Sequence, residues 1–379
     1  MNRSVYITRL ASFLPNDPVS NDEMENILGR INNQASKAKP LILRNNQIKT
    51  RYYASDKEGN TTHTNTELTK LAIERLFDKD FNLDDVEVLS CGTTTPDQLL
   101  PAHAAMVHGA LGGHSVEINS TTGACSAGIQ ALKFGYLSIL SGTASNAVCT
   151  GSERFSIWML AKYFKEEGEK VAQLEGDGIL AFEKDFLLFM LSDGASAVLL
   201  QDMPNSTSLS LKVEWVEQRS FAHELPACMY AGAIKDATGE FIGWSDLDQN
   251  VWTSESVFAI KQDTKLLGDF IVKKGGELLV ELAAAGKFVP EKITYFLPHL
   301  SSQYFASRIA KELESIGMDI PTSKWFTNLT WVGNVGAASP FLMLEELFNS
   351  GKLKKDDQLL LMVPESARFN YAYVLLTVV

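Results

Sequence analysis

The order of apolar runs constrains this chain more than any single residue does. Strand patterns and helix patterns alternate along most of it, and toward the end of each half one succession recurs: a helix pattern, an apolar strand, a small-residue turn and a second apolar strand. "NAVCTGSE" and "FLLFMLSDGASAVLLQ" carry it in the first half, "DQLLLMV" and "YAYVLLTVV" in the second. Such alternation predicts an α/β fold. The recurrence predicts two duplicated halves, 1–205 and 206–379, and a chain of 379 residues is long enough to fill two cores. A charged helical stretch between about Phe155 and Asp185, "KYFKEEGEKVAQLEG", breaks the succession and reads as an insertion lying over the core.

Individual segments sharpen this reading. "TNTELTKLAIERLF" is an amphipathic helix with Thr64 or Asn65 as its cap. "DVEVLSCGTTTPD" is a strand breaking into a polar loop, and "SVEINSTTGACSAG" is a strand, a turn and the start of a helix reaching about Ser141. "NAVCTGSE" reads as a short strand closed by Gly151, and Asp193-Gly194 as a hairpin or sharp bend between two apolar runs. Downstream, "VFAIKQDTKLLGDFIVKKGGELLVELAAAG" is mostly helix, and "KITYFLPH" is a strand ending at His299. "SSQYFASRIAKELESIG" is a helix with serines to cap it and Gly317 to stop it.

The formal net charge of −12 argues against duplex DNA or an anionic membrane as the main partner. No apolar run approaches the roughly 18 residues of a spanning helix. The N-terminal "MNRSVYITRLASFLPND" alternates like an edge or core strand and lacks the unbroken apolar centre of a signal peptide. Cys91, Cys125, Cys149 and Cys228 are widely spaced without a CxxC pair, so neither a zinc site nor a disulfide framework is expected. The expectation is a soluble protein of the reducing cytoplasm.

Cys125 follows a strand and a glycine turn at the start of a helix. The partial positive charge of a helix N-terminus favours a thiolate, and the small neighbours Gly123, Ala124, Ser126, Ala127 and Gly128 would let a carbonyl approach, with the Cys125 N–H facing a developing oxyanion. A buried cysteine packed as a small hydrophobe fits the local pattern equally well. His299, at a strand end, and Asn334, in a glycine-flanked loop, are candidate partners, although a core histidine and a turn asparagine are the plainer readings. The remaining histidines, His63, His103, His108, His114 and His223, sit in polar contexts that suggest solvated or capping roles.

Taken together, "TGACSAG", "MLSDGASAVLL", "FLPH" and "GNVGAAS" occur in the order and approximate spacing of the thiolase-like condensing enzymes. The chain most resembles the β-ketoacyl-acyl-carrier-protein synthase III family over nearly its whole length. That resemblance implies a five-layer αβαβα fold of two pseudo-equivalent halves, a homodimer, and a Cys125–His299–Asn334 triad. It implies acyl-carrier-protein or coenzyme A thioesters as substrates, with no cofactor and no metal. Cys125 would hold an acyl group as a thioester, and His299 and Asn334 would donate to the enolate oxygen of a second thioester, whose carbon attacks.

Against the family pattern, the coenzyme A-clamping tryptophan and arginine align with Leu41 and Asn45 in "KPLILRNNQIKTRYYA", leaving Arg44 or Arg51 as substitutes. The glycine-rich oxyanion loop becomes "VPESARFNYAY", with Ser366 at the key position and Glu365 and Arg368 forming either a salt-bridged turn or a reshaped site. Leu100, in "TTTPDQLLPAH", aligns with a large acyl-pocket residue on a loop that crosses the family's dimer. Lys261, Lys265, Arg308 and Lys311, on helices flanking the expected tunnel mouth, could meet an acidic carrier protein or form an ordinary solvated face. These departures suggest a secondary-metabolic ketosynthase of the dialkylresorcinol-forming type. The alternatives are a fatty-acid initiating synthase, or an acyltransferase or thioesterase using the same Cys–His pair.

Overall fold

The computed structural model describes residues 3–30, 36, 38–161, 187–236 and 238–379. Most of the charged stretch read as an insertion lies outside these residues. Its described beginning, Phe155 and a short helix Ser156–Met159, is largely buried.

Nine strands form one sheet. They are β1 (Tyr6–Phe13), β2 (Val88–Thr93), β3 (Glu117–Thr121), β4 (Asn146–Glu153), β5 (Gly194–Gln201), β6 (Leu211–Ser220), β7 (Ile293–Pro298), β8 (Gln358–Glu365) and β9 (Asn370–Val378). Their spatial order is β7-β8-β9-β6-β1-β5-β4-β2-β3. One pairing pattern runs outward from the middle in both directions. On one side β1–β5 and β5–β4 are antiparallel, then β4–β2 and β2–β3 parallel. On the other, β6–β9 and β9–β8 are antiparallel, then β8–β7 parallel. The two sides meet in a narrow register, Tyr6 opposite Lys212 and Ile7 opposite Leu211.

Seven helices matter for the site: α1 (Lys39–Asn46), α2 (Asn65–Glu74), α3 (His103–Leu111), α4 (Ala127–Ser141), α5 (Thr264–Ala284), α6 (Tyr304–Ser315) and α7 (Ser339–Asn349). Strand side chains alternate between faces, and in β2, β4, β5, β8 and β9 both faces are covered, which is why those strands read as continuous apolar runs, whereas the edge strand β3 is largely exposed. In β8, Leu359, Leu361 and Val363 join a central core with Ile129 and Leu132 of α4 and Phe341 and Leu344 of α7. Leu360 and Met362 face the other way, onto Leu267 and Ile271 of α5 and Phe305 and Ile309 of α6. In the first half, Leu68 and Ile73 of α2 and Ala104 and Val107 of α3 cover Leu89 and Cys91 of β2 and Ala195 and Ala197 of β5. The layers are therefore α2/α3, the β1-β5-β4-β2-β3 wing of the sheet, α4/α7, its β6-β9-β8-β7 wing, and α5/α6: the five-layer thiolase-like arrangement.

Thr64 caps α2 in a full capping box with Glu67, and Gly317 stands just beyond α6 with φ +72°. Strand β4 does not close at Gly151 but runs on to Glu153. Asp193-Gly194 is a bend rather than a hairpin: Leu191 bridges to Asn334, and the buried Asp193 carboxylate accepts the Ala54 and Ser156 N–H groups before β5 begins. Helix α5 starts only at Thr264, where Asp263 accepts the Leu266 N–H. The cap position of α6 is Gln303, with Ser302 Oγ accepting from Tyr304 N.

Candidate active site

The nucleophile turn is built from β3 outward. Gly123 at φ 137° and Ala124 at φ 43° turn the chain sharply into a tight helical turn over Ala124–Ser126, which feeds α4. The left-handed conformation costs a residue with a Cβ about 1 kcal/mol, so alanine is here held by its surroundings. Those surroundings are polar: Thr121 Oγ1 donates to Ala127 O (2.8 Å), and Asn370 Nδ2 donates to Ser126 Oγ (3.0 Å).

Three glycines let backbone come close behind the turn. A Cβ on Gly92 of β2 would lie 2.3 Å from Ala127 O. On Gly128 of α4 and Gly151 of β4 it would lie 2.3 Å and 2.1 Å from Ala337 O. Ala337 belongs to the loop carrying Asn334, so the cysteine's turn and the asparagine's loop are pressed together. The Leu187–Ser192 segment fixes Asn334 itself: its N–H donates to Met190 O (3.0 Å) and its carbonyl accepts from Ser192 N (2.9 Å). Its side-chain Oδ1 accepts from Gly336 N (3.0 Å). That contact identifies the oxygen end of the amide and leaves the NH2 end to donate elsewhere.

His299 follows β7, with its N–H on Met362 O (2.8 Å). It is buried, and among the described residues its Nε2 has no hydrogen-bond partner. Burial lowers its pKa to about 4, so the ring is neutral near pH 7. Cys125 and His299 open onto one cleft, walled by Leu267, Ile271 and Val272 of α5, Phe305 and Ile309 of α6, and Met362, Pro364 and Ser366 beside β8. Asn334 does not line this cleft; it is tied to it through the shared seam at Ala337.

The thiol departs from the sequence expectation. A helix start favours a thiolate, but burial, and then the charges of Glu365 and Glu153, push the Cys125 pKa well above the ordinary thiol value. Desolvation outweighs the helix terminus because Cys125 is only 7% exposed. Deprotonation must therefore be assisted, and a neutral imidazole with a vacant nitrogen is suited to that.

The Glu365–Arg368 turn is not salt-bridged. Glu365 is buried and turned inward, accepting N–H groups from its own turn (Ala367, Arg368, Asn370), while Arg368 donates to Ala222 O. Arg51 is no substitute clamp either: it is fully buried, donating to Asn21 Oδ1 and Phe189 O. Leu41, Arg44 and Asn45 are exposed on α1. Leu100 stands 84% exposed on its loop and away from the cleft of its own chain. Of the four basic residues, Lys261 is on a two-residue strand rather than a helix. Lys265 pairs with Asp269 on α5, while Arg308 and Lys311 are on α6.

Two buried groups escaped sequence reasoning. His103, expected in a solvated role, is 3% exposed, with Nε2 near Thr69 Oγ1 (3.2 Å) and Ser152 Oγ (3.3 Å). Glu153 is fully buried and accepts from Thr94 N and Oγ1, Thr95 Oγ1 and Ala337 N. Its signal was a lone charge ending an otherwise uncharged strand. Burial raises its pKa to about 7 from 4.5. The folded protein then holds a proton that the unfolded chain releases, so this contribution to stability is complete below about pH 4.5 and is lost as pH rises through 7. The full linkage slope is about 1.4 kcal/mol per pH unit. Glu153→Gln, which mimics the protonated acid, should gain relative to wild type on going from pH 5 to pH 8 in urea unfolding; an equal difference at both pH values would refute the assignment.

Residues 282–367 match the family described as 3-oxoacyl-[acyl-carrier-protein] synthase III C terminal, a segment that contains His299 and Asn334. The chain is 25% identical over 315 residues to a β-ketoacyl-[acyl-carrier-protein] synthase III of Clostridium perfringens, covering 83% of each protein. It is 23% identical to the enzyme of that name from Clostridioides difficile, covering 96% of this chain and 95% of that one. Among solved structures, AbyA1, a tetronic acid condensing enzyme, superposes with a TM-score of 0.76 at 21% identity over 98% of this chain and 99% of that one. Xanthomonas campestris OleA, solved with bound lauric acid and lauroyl-CoA, superposes with a TM-score of 0.73 at 17% identity over the full length of both. The fold is therefore the thiolase-like one. In sequence the chain is similar to proteins named β-ketoacyl-[acyl-carrier-protein] synthase III, and its residues 282–367 match the C-terminal model of that family.

Proposed function

We propose that the chain is a ketosynthase that joins two acyl thioesters through an acyl-Cys125 intermediate. The observation that carries this reading is that Cys125 and a neutral His299, whose Nε2 has no partner among the described residues, line one apolar cleft. His299 takes the thiol proton as Sγ attacks the thioester carbonyl and returns it to the carrier sulfur as the carrier thiol leaves. The backbone N–H groups of Cys125 and Ser366 are the oxyanion donors. In the second half-reaction a malonyl-type thioester loses CO2, His299 and the Asn334 NH2 donate to the enolate oxygen this leaves, and the enolate carbon attacks the acyl carbonyl and releases Cys125 as the thiolate. The near-complete burial of Cys125 favours condensation over hydrolysis, because water has poor access to the acyl-enzyme.

The finer reading is secondary lipid or polyketide synthesis of the dialkylresorcinol-like type. Exposed Leu41 and Asn45 at the expected coenzyme A clamp support it, as does an inward glutamate in the oxyanion loop. Donors would be acyl-carrier-protein or coenzyme A thioesters, with Lys265, Arg308 and Lys311, and Lys261 beside them, meeting an acidic carrier. The exposed Leu99–Leu100 loop fits a homodimer in which Leu100 reaches the partner's acyl pocket. We also propose that the two halves divide near residue 205, between β5 and β6, and that the enzyme acts in the cytoplasm. No described helix is long and apolar enough to cross a membrane.

Intact-mass measurement after incubation with acyl-carrier-protein and acyl-coenzyme A donors should show one acyl adduct that vanishes in Cys125→Ala. An adduct that survives that substitution, or none at all, refutes the nucleophile. Products formed with malonyl or β-ketoacyl thioesters then separate condensation from hydrolysis, and exclusive use of acetyl-coenzyme A and malonyl units would favour fatty-acid initiation.

A further inference from the structure

We infer that Arg51 is a positioning residue for Asn334: its buried guanidinium fixes the Phe189 carbonyl, and through it the Leu187–Ser192 segment that holds the Asn334 backbone. The inference rests on the proposed role of Asn334 in the condensing half-reaction and adds a residue that acts through it.

Arg51 is fully buried, and its donors go to neutral oxygens: Nη1 to Asn21 Oδ1 (2.9 Å) and Nη2 to Phe189 O (3.1 Å). Removing a guanidinium from water without a counter-charge is costly, which sets Arg51 apart from an ordinary core residue. The Phe189 carbonyl takes a second bond from Asn46 Nδ2 (2.9 Å), at the end of α1. Two donors occupy both lone pairs of that oxygen and so fix the peptide plane between Phe189 and Met190. The next carbonyl, Met190 O, receives the Asn334 N–H (3.0 Å), and Ser192 N returns a bond to Asn334 O (2.9 Å). The same stretch is tied to the residue after Arg51: Tyr52 N donates to Ser192 Oγ (2.9 Å), and Asp193 N donates to Tyr52 O (2.8 Å).

The residues just before Arg51 grip the approach to Asn334 as well. Lys49 N donates to Thr330 O (2.7 Å) and Thr50 Oγ1 to Trp331 O (2.7 Å), both on the short helix Leu329–Val332. Gly333, between that helix and Asn334, has φ 76°, and a Cβ there would lie 2.9 Å from Ser192 Cβ and 3.1 Å from Arg51 Cβ. Arg51 thus stands directly behind the residue preceding Asn334, with its guanidinium on the segment that holds Asn334. Cys125 and His299 are anchored elsewhere, through Thr121 and Asn370 at the nucleophile turn and through Met362 O behind His299. Loss of the guanidinium should therefore reach the enolate-binding amide and spare the acylation step.

Arg51→Met keeps the apolar length and removes the donors. A misplacement of about 1 Å can cost about 10²-fold, so condensation should slow about 10- to 100-fold while acylation of Cys125 stays within about twofold. Acylation is read by intact mass with acyl-carrier-protein and acyl-coenzyme A donors, and condensation by product formation from malonyl and β-ketoacyl thioesters on preloaded enzyme. Arg51→Lys, which keeps one donor, should recover part of the loss. In an Asn334→Ala background Arg51→Met should slow condensation by no more than about a further twofold, because the group it positions is gone. Equal loss in both half-reactions, no loss in either, or a full additional loss in the Asn334→Ala background overturns the inference. If Arg51→Met does not fold, Asn21→Ala, at the half-buried end of the same contact, decides alone: condensation slowed at least about threefold with acylation unchanged supports the inference, and any other result overturns it. A wild type that loads no acyl group, or condensation indifferent to Asn334→Ala, refutes the ketosynthase reading instead, so the two failures are separable.

Discussion

His299→Ala should slow acylation of Cys125 by about 10²–10⁴-fold, the usual contribution of a positioned base. The pH profile distinguishes this from simple damage. In the wild type the base is a histidine titrating at about 4, so acylation should be nearly flat from pH 5 to 8 and fall below about pH 4, where the ring becomes protonated. Without it, reaction depends on the small thiolate fraction of a thiol whose pKa is raised by burial and by Glu365 and Glu153. The rate should then climb about tenfold per pH unit through neutrality. Stopped-flow or quenched mass measurements over that range would show it, with partial rescue by added imidazole. A variant with the wild-type profile would remove His299 from the acylation step.

Gly151→Ala should be among the most destabilising single-methyl changes in the protein. The added Cβ would fall 2.1 Å from the Ala337 carbonyl oxygen, and backbone on both sides resists moving. Overpacking a core usually costs 1–3 kcal/mol, and a clash between main chains of a central strand and a tight loop should exceed about 3 kcal/mol. Gly109 is the control. It lies exposed on α3 with nothing within 4 Å of its Cβ position, so Gly109→Ala should stabilise by about 0.5–1 kcal/mol through helix propensity. Urea unfolding of both variants measures the contrast. A Gly151→Ala protein as stable as wild type would mean that the Ala337 loop can retreat, and the close apposition behind Cys125 would lose its structural weight.

Much of the architecture was legible because its causes are local. Strands covered on both faces need continuous apolar runs, and those runs are plain in "DQLLLMV" and "YAYVLLTVV". Thr64 and Glu67 form their capping box within four residues. What escaped depends on contacts far apart in the chain. His103 is buried because α3 lays it against Thr69 and Ser152, 34 and 49 residues away. Periodicity could not foresee that, since a polar neighbourhood in sequence is not one in space. The Cys125 thiol was misjudged for the same reason. The helix start was visible, but the two carboxylates and the depth of burial belong to β4, β8 and the layers above. Asn334 lies in the glycine-bounded loop that its sequence context predicts. The Met190 and Ser192 bonds that hold it come from the other half of the chain.

The glycine seam also bears on how substrates enter. A contact with no room for a methyl group has no slack for backbone motion, so the nucleophile turn, the ends of β2 and β4 and the Ala337 loop should behave as one rigid body. On the outer helices the tie is instead an exposed side-chain bond, from Arg308 of α6 to Gly268 O of α5 (3.0 Å). Amide hydrogen exchange should accordingly be slowest around Gly128 and Gly151 and faster along the facing turns of α5 and α6. The reaction centre would stay fixed while the wall beside it yields.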